Sequence, residues 1–164
     1  MTRELTHFIG GQQVPGASGR FSDVFDPSTG EVQARVPLAS TDEVAGAITI
    51  AEEAQREWGD TNPQKRARVL LKFLDLIAKD MDSLATTLSS EHGKTFEDSK
   101  GDILRGVEVI EFATGAPHLL KGEYSTGAGA GIDVYSMRQP LGVVAGITPF
   151  NFPAMIPLWK MGPA

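Results

Sequence analysis

The sequence predicts an α/β fold, and three observations carry that reading. The run Leu141 to Ile147, "LGVVAGI", is continuously apolar, as strands buried on both faces of a parallel sheet are. Upstream of it, amphipathic segments with helical spacing stand between recognisable start and stop signals. Before Ser40 the text changes again, to short apolar stretches punctuated by Gly, Pro and Ser, which reads as small strands joined by turns.

Taken in order, the segment "HFIGGQQVPGASGRFSDVFDPSTGEVQARVPLAS" alternates around Phe21, Val24 and Val32 to Val36, and is suited to wrap the edge of a larger sheet. Ser40 and Glu43 have the spacing of a capping box, and Val44, Ile48, Ala51, Ala54 and Trp58 then recur as one helical stripe up to Gly59. Asn62-Pro63 pairs an N-cap with a proline at the first helical position, opening a second helix along which Ala67, Leu70, Leu71, Leu74, Ile77 and Ala78 continue the apolar stripe. A shorter helix is expected from about Met81, with Leu84 and Leu88 inward and Gly93 closing it. "TFEDSKGDILRGVEVIEFATG" supplies a further helix with Ile103, Val107, Ile110 and Thr114 on one face. At 100° per residue, Arg105 falls on the other side with Val109 and Phe112, so this helix should be sandwiched. After Pro117, Ile132 and Val134 alternate with Asp133 and Tyr135, the pattern of a half-exposed strand.

Composition narrows the function. With 41% apolar and 22% charged residues, the 164-residue chain has the makings of one ordinary globular domain. A net charge of -6 and scattered basic residues argue against nucleic acid or an anionic membrane as partner. No apolar stretch approaches the ~18 residues of a membrane span, and the start lacks a signal pattern, so a cytoplasmic protein is expected. The sequence has no Cys, which fits a reducing compartment and also excludes a thiol nucleophile within these residues.

Among candidate sites, "GAGAG" at Gly127 to Gly131 has the glycines of a dinucleotide loop but lacks the preceding strand, so a flexible turn is the better reading. His7, His92 and His118 have no ligand-like spacing, and no metal site is expected. Ser89-Ser90 near His92 resembles a triad fragment only in composition. Asn151 stands where the apolar run gives way to a helix, the edge of an α/β sheet at which ligands bind. Its amide could stabilise a developing oxyanion as a neutral donor, or it could simply cap the helix. Arg105, with Asp102 and Glu108 three residues to either side, has the spacing of a surface ion pair.

Together, "FDPSTGEV", "EHGKTFEDSKGDILRGVEVIEFA" and "KGEYSTGAGAGIDVYSMRQPLGVVAGITPFNFPAMIPLW" resemble the aldehyde dehydrogenase superfamily, and within it the CoA-acylating methylmalonate-semialdehyde dehydrogenases. The resemblance runs from about Phe8 to Ala164. It implies the N-terminal part of that fold, an α/β architecture with a Rossmann-like cofactor domain and a β excursion used for oligomerisation. Residues 1–122 would be the β and helical part of the cofactor domain, 123–140 the oligomerisation segment, and 141–164 the first strand and helix of the Rossmann-like core. It also implies oxidation of a small semialdehyde, methylmalonate or malonate semialdehyde, with NAD as oxidant and CoA as acyl acceptor, in a homo-oligomer, dimer or tetramer. Asn151 then corresponds to the family's oxyanion-stabilising Asn, Thr148, Pro149 and Phe150 to its nicotinamide-side loop, and Arg105 to an Arg that grips the substrate carboxylate. The family's nucleophilic Cys and deacylating Glu lie further along the chain than these residues. The expectation is therefore a portion of a longer enzyme, inactive alone. A fragment of a non-acylating relative, such as a succinate-semialdehyde dehydrogenase, or an inactive module that pairs with complete subunits, is the alternative.

Overall fold

The structure, a computed structural model, describes residues 2–164. The chain runs through β1 (Arg3–Glu4), β2 (His7–Ile9), β3 (Gln12–Val14), β4 (Phe21–Phe25), β5 (Val32–Pro37), α1 (Thr41–Asp60), α2 (Pro63–His92), α3 (Phe96–Thr114), α4 (Ala116–Leu119), β6 (Tyr124–Gly129), β7 (Ile132–Tyr135) and α5 (Met155–Met161). β5 is the middle strand of a three-stranded sheet, parallel to β1 and antiparallel to β4. β2 and β3 form a separate hairpin, turned by Gly10 and Gly11 at φ 60° and 78°, values that only glycine adopts without strain.

The helix starts follow the sequence signals. Ser40 caps α1 through a full capping box: its Oγ accepts from Glu43 N–H while Glu43 Oε2 accepts from Ser40 N–H at 2.8 Å. Glu43 Oε1 also accepts from Ala17 N–H at 2.6 Å, so one carboxylate pins the preceding loop to the helix. Asn62 Oδ1 caps α2 through Gln64 N–H.

The two helices expected on either side of Lys79-Asp80 are one, α2, 30 residues long. Nothing between Ala78 and Met81 is a helix breaker, and inward residues on both sides, Ile77, Ala85 and Leu88, bury against the same neighbour. Leu84, expected inward, is exposed, because Ala85 takes the place that faces α3. Gly93, at φ 82°, ends α2 as expected, and a Cβ there would meet Pro27 at 3.0 Å.

The core lies between α2 and α3, built from Ile77, Ala85, Leu88 and Ile103, with Phe73, Met81, Val107 and Leu158 packed around it. α3 packs against both α2 and α5, but not through the second face expected: Arg105 is exposed and Phe112 is 68% exposed, and α5 instead meets Gly106 and Ile110, on the same broad face that α2 covers. Contact with α5 depends on Gly106, where a Cβ would come within 2.4 Å of Leu158 Cδ1 and 3.0 Å of Leu158 Cβ. Ser89 and Ser99 share a 2.8 Å hydrogen bond between α2 and α3, which satisfies the fully buried Ser99 hydroxyl, and Ser90 Oγ donates to Gln33 Oε1 at 2.8 Å, so both serines near His92 have structural partners.

Two expectations about strands are corrected. "LGVVAGI" forms no strand: residues 141–147 carry no regular structure and are exposed throughout, Leu141 at 95% and Ile147 at 90%. A parallel strand exists only through its neighbours' hydrogen bonds, and no described strand pairs with this segment. β7 is exposed on both faces rather than one, because it pairs only with β6 in a free two-stranded ribbon. "GAGAG" forms the tip of that hairpin, with Gly127 and Gly131 at φ 66° and 69°, so the turn reading holds. Among the described residues, no helix is long and apolar enough to cross a membrane.

Gly106→Ala is expected to push α5 off α3 and cost about 1–3 kcal/mol of stability, with a change in Trp159 fluorescence. Unchanged unfolding would contradict the close approach. The Glu43 carboxyl is held down from 4.5 to about 2, first by the Ser40 backbone N–H and then by that of Ala17. A depressed folded-state value means that this contact stabilises the fold above pH 4.5 and is lost as pH falls from there through about 2. Melting temperature should therefore fall more steeply across that window in the wild type than in Glu43→Gln, and parallel profiles would refute the linkage.

Candidate functional site

The residues singled out from the sequence lie on α3 and on the loop that leads into α5. Thr148, Pro149, Phe150 and Asn151 form one continuous exposed stretch, with Phe150 60% exposed. Asn151 does not cap the helix: α5 begins at Met155, its N-cap is Ala154, and no side chain of the loop caps it. The Asn151 amide makes no hydrogen bond among the described residues, so its donor and acceptor are both free.

What caps α5 is Asp102, from the middle of α3. Its Oδ1 accepts from Met155 N–H at 2.7 Å and its Oδ2 from Lys94 Nζ at 2.6 Å, with the Asp102 side chain fully buried and Lys94 15% exposed. A buried carboxylate is tolerated only when charge and lone pairs are both answered, and these two donors answer them. The sequence reading placed Asp102 on the surface as a partner of Arg105, and the structure overturns that. Arg105 is exposed and its guanidinium enters no ion pair among the described residues, with Asp102 or with Glu108. Only its backbone carbonyl is engaged, accepting from Trp159 Nε1 at 3.0 Å.

Further contacts surround the loop. The ring of His92, the last residue of α2, lies against Phe150 with centroids 5.5 Å apart and planes inclined at 41°. Lys94 Nζ stands 4.2 Å from the centroid of Phe152. Lys160, one turn along α5 from Ile156, donates to the carbonyl of Ile147. Sequence reasoning missed His92, Lys94, Asp102 and Lys160. The available signal was a stripe of small and polar residues on α3, Ser99, Asp102, Gly106 and Ala113, all buried and spaced by three, four and seven, which marks a face in close contact.

No hydrogen bond or ion pair among the described residues joins Arg105 to residues 148–151. Both are tied to α5 instead, the loop through the covalent chain and Arg105 through Trp159. The arrangement thus offers an uncommitted amide, an exposed aromatic face and an unpaired guanidinium around one short helix. Among the described residues there is no cluster of His, Asp and Glu able to hold a metal ion.

The sequence profile of the aldehyde dehydrogenase family matches residues 14–164. Malonate-semialdehyde dehydrogenase of Pseudomonas aeruginosa is 50% identical over 155 residues, 94% of this chain and 31% of that protein. The mitochondrial acylating methylmalonate-semialdehyde dehydrogenase of Arabidopsis thaliana is 49% identical over 97% of this chain and 26% of its own length. A crystal structure of a Sinorhizobium meliloti protein in complex with NAD superposes with a TM-score of 0.95 at 58% identity, covering 97% of this chain and 32% of the other. The chain thus spans about a third of the length of the relatives it matches. A profile match over nearly all of the sequence, together with half-identical relatives and a common fold, means that this chain belongs to the aldehyde dehydrogenase family.

Proposed function

We propose that these residues supply part of the active site of an NAD-dependent, CoA-acylating dehydrogenase of small acidic semialdehydes, malonate or methylmalonate semialdehyde. The observation that carries the reading is the free Asn151 amide on a loop braced at both ends, beside a helix whose Arg105 guanidinium is unpaired. The substrate class follows from the names of the half-identical relatives, and acylation from that of the Arabidopsis protein.

Asn151 fits an oxyanion donor. When a nucleophile adds to an aldehyde carbon, negative charge moves to the oxygen, and a neutral N–H fixed near that position stabilises it without a competing charge. The loop also fits the nicotinamide end of NAD: Phe150 is backed by His92 yet remains largely exposed, and Thr148 and Pro149 beside it are open. NAD, when bound, accepts the hydride. Arg105 fits a carboxylate clamp, since guanidinium stays charged at every working pH and pairs a carboxylate through two N–H donors. No thiol is present, so the attacking group comes from outside these residues. The β6–β7 ribbon, exposed on both faces and edges, suits pairing between subunits.

The test is a chimera in which these residues replace the matching third of the Pseudomonas aeruginosa enzyme. NAD-dependent oxidation of malonate semialdehyde supports the reading, and a folded but inactive chimera opposes it. Within an active chimera, Arg105→Leu should lower kcat/KM for the acidic semialdehyde by about thirtyfold or more while leaving a neutral aldehyde of similar size nearly untouched. An unchanged ratio of the two would retire the carboxylate role.

A further inference from the structure

Asn151 makes no hydrogen bond among the described residues, yet each of its neighbours in the chain is held by a different group. Phe150, before it, lies on the His92 ring at 5.5 Å. Phe152, after it, sits under the Lys94 ammonium at 4.2 Å. Lys94 is in turn fixed by Asp102, which also takes Met155 N–H. His92 and Lys94 belong to one short piece of chain, the end of α2 and its exit, and face the loop together because Gly93 between them adopts φ 82°. A residue with a Cβ would be strained in that conformation and would also press on Pro27. Buried and unpartnered, His92 Nδ1 makes no competing hydrogen bond that would turn the ring away from Phe150.

We propose that His92 and Lys94 are positioning residues, a two-pronged clamp that sets the backbone of Asn151 by holding Phe150 and Phe152 on either side of it. The clamp deepens the reading of Asn151 as an oxyanion donor and rests on it for its purpose, although its mechanics do not. Each prong fixes one aromatic neighbour, so the backbone that carries Asn151 keeps a single course without spending a hydrogen bond of that residue on its restraint. Lys94 has two duties, an ion pair beneath and a cation–π contact above, which makes it the prong that ties the loop to the core.

The experiment is nitrogen-15 relaxation and amide exchange on the 164-residue chain, comparing the wild type with His92→Leu, Phe152→Leu, Lys94→Met and Lys94→Arg. Wild-type Asn151 should show an order parameter of about 0.8 or more, falling below about 0.6 in Phe152→Leu and Lys94→Met, and less far in His92→Leu. Met155 amide exchange should quicken about tenfold or more in Lys94→Met, while the amide of Ile110, deep in α3, stays within about twofold. Lys94→Arg, which keeps the charge, should restore both. Phe152→Leu leaves the Lys94–Asp102 pair intact and so tests the clamp even where Lys94→Met does not fold. An Asn151 order parameter that is equal in all variants, or that falls only in step with exchange at Ile110, overturns the proposal. If the loop loosens as stated while Asn151→Ala leaves the chimera fully active, the clamp stands and the oxyanion reading fails.

Discussion

The site rests on one buried carboxylate. Asp102 has no access to water, and its charge is tolerable only because an ammonium and a backbone N–H meet it at 2.6 and 2.7 Å. Removing one partner of such a buried pair typically costs about 3–5 kcal/mol, a large share of the about 5–15 kcal/mol that holds a domain together. The three groups therefore stand or fall as a unit, and they come from three places: Lys94 from the connection after α2, Asp102 from α3 and Met155 from α5. A seven-residue helix with no cap of its own has little reason to form in isolation. It forms here because α3 supplies both its missing acceptor and, at Gly106, the recess into which Leu158 fits.

From that point the order spreads toward the candidate chemistry. Anchoring Met155 fixes where the loop ends, Lys94 and His92 fix the aromatic residues on either side of Asn151, and Lys160 holds the carbonyl of Ile147 where the loop begins. Ordering a backbone residue costs about 1–2 kcal/mol, so a loop held in one conformation needs several such contacts to offset it. Arg105 is braced by the same device, since Trp159 on α5 bonds its carbonyl. The loop and the Arg105 backbone are thus referred to a common helix.

The sequence was most legible where a signal is local. The Ser40–Glu43 capping box, the Asn62-Pro63 start of α2 and the glycine stop at Gly93 all depend on residues within one helical turn, and all stand as read. It was least legible where structure depends on partners remote in the chain. "LGVVAGI" has the composition of a buried strand, but strand structure needs a ladder, and none of the described residues provides one. Asp102 was misjudged for the same reason: its spacing from Arg105 suggests a surface pair, whereas its fate is decided by Lys94, eight residues earlier, and Met155, fifty-three residues later. Asn151 was singled out by its place at the end of the apolar run and by the family resemblance, and the loop before it by the resemblance. What holds them was not visible, because His92, Lys94 and Lys160 act through contacts between elements and leave no periodic trace.

The most direct test of this account is a double-mutant cycle between Lys94→Met and Asp102→Asn, followed by urea unfolding. Asn at 102 can still accept from Met155 N–H through Oδ1, but in place of Oδ2 it presents an amide donor that cannot bond the Lys94 ammonium, so the cycle reads the loss of the ion pair and its hydrogen bond together. A coupling of about 2 kcal/mol or more between the two positions is predicted. Additivity within about 0.5 kcal/mol would mean that Asp102 and Lys94 contribute independently, and the keystone described here would not exist.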